Sequence, residues 1–183
     1  MLIIMSSSLE IVQSVPDDAG EIGIIRATNW KEQYAKLDGV TPEWMDDEIK
    51  RISGAEGTRE RAYWIEQARK PDAHNYWLTA RIAGSLIIGF LEARKHENGT
   101  QELRSLHLDL AAKQAGKGVG QVLIDEVHGG WFDPAMAIYL DVAEVNVGAQ
   151  RFYQRPPNNY SLTEHRFMYG PIRMRQMIRP PRS

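Results

Sequence analysis

The chain has no cysteine, no long apolar run and no excess of either charge. Without cysteine there are no disulfides, no thiolate zinc sites and no thiol nucleophile, which fits a reducing compartment. No stretch approaches the ~18 consecutive apolar residues of a membrane-spanning helix. The 22 Lys/Arg and 24 Asp/Glu leave a net charge of −2. That balance lacks the basic stripe of a nucleic-acid binder, so no such partner is expected. It also argues against disorder, which combines low hydrophobicity with high net charge. With 183 residues, 43% of them hydrophobic, the chain reads as one domain with a sizeable core. Met1-Leu2-Ile3-Ile4-Met5 has no basic n-region and stops at Ser6-Ser7-Ser8, too short for a signal peptide. Residues 1–8 are therefore expected to be a disordered leader and 9–183 a single domain. The protein is expected to be soluble and cytoplasmic, with no membrane partner and no metal.

What is present divides into a helical first third and a mixed remainder. Leu9 to Gln13 reads as a strand. An aspartate of Asp17-Asp18 is the expected N-cap of a helix over roughly 18–36, weakened by Gly20 and Gly23. Thr41-Pro42-Glu43 starts a second helix, with a cap, a first-position proline and an acid in the first turn. A third runs from Thr58 to Arg69, before Lys70-Pro71. The period then changes. Tyr76–Ile82 and Leu86–Ala93 read as a hairpin about Ala83-Gly84. Asn98-Gly99 turns into a third strand ending at Leu106–Leu110. Val119, Val122, Leu123 and Val127 recur at helical spacing until Gly129-Gly130. Ala137–Val142 is expected as a strand buried on both faces, Asn146–Gln154 as a short helix, and Ile172–Arg179 as a final edge strand. The arginines from Arg166 to Arg182 read most simply as a solvated face.

Gly116-Lys117-Gly118-Val119-Gly120 lies between a strand and a helix. Alternate glycines expose backbone N–H groups there, and the helix dipole favours phosphate oxygens. An ordinary strand-to-helix turn is the plainer alternative. A Walker A loop is broken by Gly118 after Lys117, and the spacing is not that of a dinucleotide fingerprint, so a nucleotide-phosphate binder is a weak third reading.

Leu106–Gln154 resembles the core of the GNAT acetyltransferase superfamily. Ala115-Gly116-Lys117-Gly118-Val119-Gly120 stands at that family's cofactor loop, and Asn146-Val147-Gly148-Ala149-Gln150-Arg151-Phe152-Tyr153 at its Asn-x-x-Ala-x-x-x-Tyr-like helix. The resemblance implies an α/β (α+β) fold: a mixed, mostly antiparallel central sheet flanked by helices, with acetyl-CoA bound at a splay between the central strands. It departs from the family at Ala115, where Gln or Arg is usual, and at Pro156-Pro157-Asn158-Asn159-Tyr160, where Gly-Phe is usual.

The resemblance also implies roles. Main-chain amides of Ala115, Gly116, Lys117, Gly118, Val119, Gly120 and Gln121 would hold the diphosphate. Backbone groups of Leu108, Asp109 and Leu110 would pair with the pantetheine arm and face the oxyanion formed on attack. Asn146 would hydrogen-bond the cofactor arm, and Tyr153, two helical turns on, would protonate the leaving thiolate. Core packing is the alternative for Tyr153. For the base, His107, Asp109, Glu102, Glu92 and a water chain all stand open. Trp30, Tyr34 and Trp44 sit in helices that wall the acceptor site in this family, although core packing would also explain them. The function implied is N-acetyl transfer from acetyl-CoA to a small-molecule amine or a peptide or protein amine, by direct attack in a ternary complex. The alternative is a GNAT-fold acyl-CoA-binding module without transferase activity. C-terminal edge strands often pair in this fold, which leaves a homodimer open.

Overall fold

The computed structural model describes residues 9–69, 74–82, 86–110, 112 and 118–182. The leader, Lys70-Pro71, the Ala83-Gly84 turn and Ala115, Gly116 and Lys117 lie outside them. The described residues form, in chain order, β1 (Leu9–Gln13), α1 (Ala19–Tyr34), α2 (Pro42–Ile52), α3 (Arg59–Arg69), β2 (Asn75–Ile82), β3 (Leu86–Lys95), β4 (Gln101–Leu108), α4 (Val119–Glu126), β5 (Ile138–Ala143), α5 (Val147–Gln154), β6 (Ser161–Tyr169) and β7 (Ile172–Arg179). The strands form one sheet in the order β1-β2-β3-β4-β5-β7-β6. Only the β4–β5 contact is parallel.

Strand alternation builds a core on each face of the sheet. Trp77, Ile87 and Phe90 pack with Ile22 and Ile25 of α1 and Trp64 of α3. Their sequence neighbours Leu78, Ile88 and Leu91 pack on the opposite face with Val119, Leu123 and Ile124 of α4. This two-faced burial is why β3 reads as a continuous apolar run.

Several local expectations are corrected. Asp18 heads α1, but its carboxylate accepts from the Val15 N–H at 2.9 Å and from Arg81 at 2.6 Å rather than capping the first turn. Thr41 does cap α2, accepting from the Trp44 N–H at 3.2 Å. Gly23 is a helix crossing: a Cβ there would lie 1.9 Å from the Ser53 carbonyl oxygen, so α1 meets the end of α2 backbone to backbone. Gly129-Gly130 does not stop a helix. Val127–Trp131 continues it as a π-helical turn, which places His128 inside the core. β5 is not buried on both faces, because Leu140 and Val142 enter the core while Asp141 is exposed. β7 is not an edge strand. It lies between β5 and β6, and β6 forms the edge. The arginine face is only partly solvated, since Arg179 is buried. β6 escapes sequence reading because its register shifts between Leu162 and Arg166, which destroys the alternation.

His128 shares a 3.0 Å hydrogen bond with the Tyr160 hydroxyl. Burial, with Arg179 and Arg182 nearby, pulls its pKa down to about 3, so the imidazole is neutral when folded. Unfolding lets it take up a proton near its ordinary pKa of 6.5. The stability it contributes is therefore intact above that value and is lost as pH falls toward the folded value, at about 1.4 kcal/mol per unit. Urea unfolding near pH 7 and near pH 4.5 checks this. The wild type is expected to lose about 2–3 kcal/mol more than His128→Gln on acidification, and equal losses would contradict it.

Candidate active site

The site begins with a pairing that stops. β4 and β5 pair at Gln101↔Ile138 and Glu102↔Tyr139, and nowhere beyond. β5 stays with β7 along its length, from Ile138↔Arg179 to Ala143↔Met174. β4 stays with β3, through a bulge opposite Glu92 and Ala93. The two central strands therefore diverge. The Asp109 N–H donates to the Ile88 carbonyl at 2.8 Å, which sets the phase of the ladder. By alternation, the N–H groups of Leu106 and Leu108 turn away from β3 into the gap. The gap opens on a cavity of about 510 Å³.

Tyr153, Asn146, Trp30, Tyr34 and His107 all line this cavity. The sequence-predicted residues thus come together from α1, β4 and α5. Asn146 accepts from the Ala149 N–H at 3.0 Å through Oδ1, capping α5, and its Nδ2 donates to Gln33 at 3.2 Å. Tyr153 is 9% exposed. Its ring meets Phe152 and Tyr160 edge-on at 5.2 and 5.6 Å. Burial, with Tyr34 nearby, raises its pKa well above the ordinary tyrosine value. Trp30 packs edge-on against both Tyr34 and Tyr169, at 5.0 and 5.4 Å, so these aromatics serve as cavity wall and core together. His107 stacks on Phe90 at 5.2 Å. Trp44 does not reach the cavity and packs on Gly170 instead.

The backbone groups divide. The Asp109 N–H is used by β3. The Leu108 carbonyl accepts from Asn29 Nδ2 at 2.9 Å, a bond that pins α1 to the end of β4. The strand ends at Leu108, so Leu110 does not extend it, and the Leu110 side chain is exposed. The Leu108 N–H is thus the group of that trio that faces the gap. In the glycine turn, Gly118 adopts the left-handed conformation, φ +66°, and among the described residues no atom lies within 4 Å of where a side chain would begin. Its carbonyl accepts from the N–H groups of Gln121 and Val122 at 2.8 and 3.0 Å. Gln121 is therefore committed to the helix, leaving Val119 and Gly120 as the first-turn donors without an intrahelical partner.

Gln121 has another task. Its side-chain amide makes a reciprocal pair with Asn158, at 2.9 and 3.1 Å. Asn158 is fully buried and also donates to the Phe152 carbonyl at 3.0 Å. The Tyr160 N–H donates to the Tyr153 carbonyl at 3.0 Å. The unusual Pro156-Pro157-Asn158-Asn159 segment thus closes α5 and fastens it to α4.

Sequence reasoning named Trp30, Tyr34 and, among the base candidates, Glu102, but missed Arg26, Gln33, Asp141 and Tyr169 of the lining. Arg26, Trp30, Gln33 and Tyr34 form one stripe of α1 at helical spacing, visible as such in the sequence. Glu102 and Asp141 line the cavity from β4 and β5. Glu102 Oε2 lies 3.0 Å from His96 Nε2. Asp141 is open to solvent on its cavity side, but desolvation by the surrounding walls, and then the Glu102 carboxylate, raise its pKa. Tyr169 hydrogen-bonds Glu48 at 2.8 Å and also contacts Arg51. Among the described residues there is no metal-holding group of three or more His, Asp or Glu, and no helix long and apolar enough to cross a membrane.

This architecture defines a class. The model of the Acetyltransferase (GNAT) family matches residues 38–155, more than half of the chain, and the chain belongs to that family. Solved structures agree on the fold. PaiA N-acetyltransferase from Thermoplasma acidophilum, solved with coenzyme A, superposes with a TM-score of 0.69 at 20% identity, over 92% of this chain and 98% of that one. Ard1 from Thermoplasma volcanium gives 0.64 at 18%, over 93% and 96%. YncA from Salmonella typhimurium, solved with acetyl-CoA, gives 0.63 at 14%, over 97% and 96%. No curated protein sequence matches the chain significantly.

Asn158→Ala removes the α4–α5 fastening and strands the Phe152 carbonyl. Stability in urea is expected to drop by about 1–3 kcal/mol. An unchanged unfolding midpoint would contradict the fastening role.

Proposed function

We propose that this GNAT member transfers the acetyl group of acetyl-CoA to a primary amine, on a small molecule or on a peptide or protein, by direct attack in a ternary complex. The observation that carries the reading is the gap between β4 and β5, into which the Leu106 and Leu108 N–H groups turn by ladder alternation, with Tyr153 among the residues that line the cavity beyond it. The fit is supported by the left-handed Gly118 and by the unpartnered N–H groups that begin α4. In this reading Ala115, Gly116 and Lys117 complete the diphosphate turn.

Bound there, acetyl-CoA supplies a thioester whose C–S bond is exchanged for a C–N bond to the amine. The chain's residues have three tasks. The Leu106 and Leu108 N–H groups face the gap and are placed to bond the cofactor arm or the acyl oxygen. Tyr153 directs its hydroxyl proton at the departing sulfur. Because burial raises its pKa, this phenol acts as a hydrogen-bond donor that stays protonated, rather than as an acid matched to the thiolate. In this reading Glu102, the carboxylate that lines the cavity from β4 with His96 beside it, takes the amine's proton. Trp30, Tyr34 and Tyr169 wall the acceptor side.

Tyr153→Phe is expected to keep coenzyme A affinity and to lower kcat by about 10²-fold, the usual effect of removing one donor aimed at developing charge. The wild-type kcat is expected to show no alkaline fall up to about pH 10, since the raised hydroxyl does not ionise in that range. Free-thiol release across an amine panel measures both. Unchanged turnover of every amine by the variant would remove Tyr153 from this role.

A further inference from the structure

The charged groups around the cavity are nearly all paired. Arg51 is held by Glu48 and by Glu60, the latter at 2.7 Å. Arg104 lies 3.3 Å from the buried Glu92, which Arg94 approaches at 3.8 Å. Glu102 is met by His96. Arg26 stands apart. Its Nε is sealed from solvent and unbonded. Among the described residues its guanidinium makes no ion pair or hydrogen bond, and it lies over the Trp64 ring, 5.7 Å from its centre. The groups facing it are Glu92, Arg51, Glu60 and Tyr169. Arg51, Glu60 and Tyr169 are engaged elsewhere, and the buried Glu92, whose Oε1 makes no hydrogen bond, is shared as an ion-pair partner by Arg104 and Arg94 and lies beyond ion-pair distance of Arg26. A guanidinium taken from water without an acceptor is costly and calls for an oxyanion. On the β5 wall, Asp141 is the other lining charge without an ion pair or hydrogen bond among the described residues.

Arg26 lies two turns before Tyr34 on the same face of α1, about 12 Å along the helix axis. The cavity therefore has the acetyl-transfer end at Tyr153 and Asn146, an unpaired cation away from it, and an unpaired anion on the far wall. We propose that Arg26 anchors the carboxylate of the acceptor, so that the substrate class is an amine that also carries a carboxylate. This rests on the acetyltransferase reading for the site, but the recognition it describes needs no turnover. The guanidinium receives the carboxylate as a two-pronged donor, with the Trp64 ring behind it. Asp141 favours the ammonium end before the proton is lost.

Calorimetry on the coenzyme A-saturated protein tests this, with L-leucine and 6-aminohexanoate as probes, each compared with its amide. At least one acid is expected to bind about tenfold or more tightly than its amide. The preference is expected to vanish in Arg26→Gln and to survive in part in Arg26→Lys, with coenzyme A affinity unchanged in both. Equal binding of acids and amides, no binding of either acid, or a preference that persists in Arg26→Gln would each overturn the proposal. The comparison within the wild type holds whether or not the variants fold. Thiol release is read separately: acid-selective binding without acetyl transfer would count against the transferase reading and leave the Arg26 anchor standing.

Discussion

β4 and β5 meet at two residue pairs and then part, and the remaining architecture keeps them apart. β3 holds β4 through the bulge opposite Glu92, and β7 holds β5 along its length. Asn29, buried in α1, bonds the Leu108 carbonyl and its own Ile25 carbonyl, fixing the far end of β4. An interrupted ladder leaves main-chain donors unsatisfied unless something fills the gap. The cavity, the aromatic wall and the glycine turn are all arranged around that opening.

The helices on the second face make the opening rigid. Gly118 is the N-cap residue of α4 and Asn146 that of α5, which carries Tyr153 in its last turn. The two are joined by the Gln121–Asn158 amide pair, while Tyr160 ties the following loop to Tyr153 on one side and to His128 on the other. The π-helical turn that buries His128 is part of the same construction. A departure from the family pattern after Tyr153 thus has a structural content: a polar weld where the family has Gly-Phe.

Much of this was legible in the sequence, for identifiable reasons. Caps, first-position proline and the Asn-Gly turn are local, so α2, β3 and the start of β4 could be read directly. Tyr153 and Asn146 were found because they lie two helical turns apart in a recognisable order with the glycine turn. What failed was non-local. The order β5-β7-β6 depends on which strands pair, and the register shift in β6 hides its periodicity. Arg26 could not be singled out, because an unpaired arginine differs from a paired one only through the positions of Glu48, Glu60 and Glu92 on other elements. The Gln121 main-chain amide reads as a cofactor group from its place in the loop, whereas it closes the first turn of α4 onto the Gly118 carbonyl.

Amide hydrogen exchange at Leu106 and Leu108, followed by NMR with and without coenzyme A, bears most directly on the open gap. If β4 and β5 part as described, both amides exchange rapidly in the free protein and become protected when coenzyme A is added. Protection already present in the free protein, or no change on adding the coenzyme, would contradict the gap as the seat of binding.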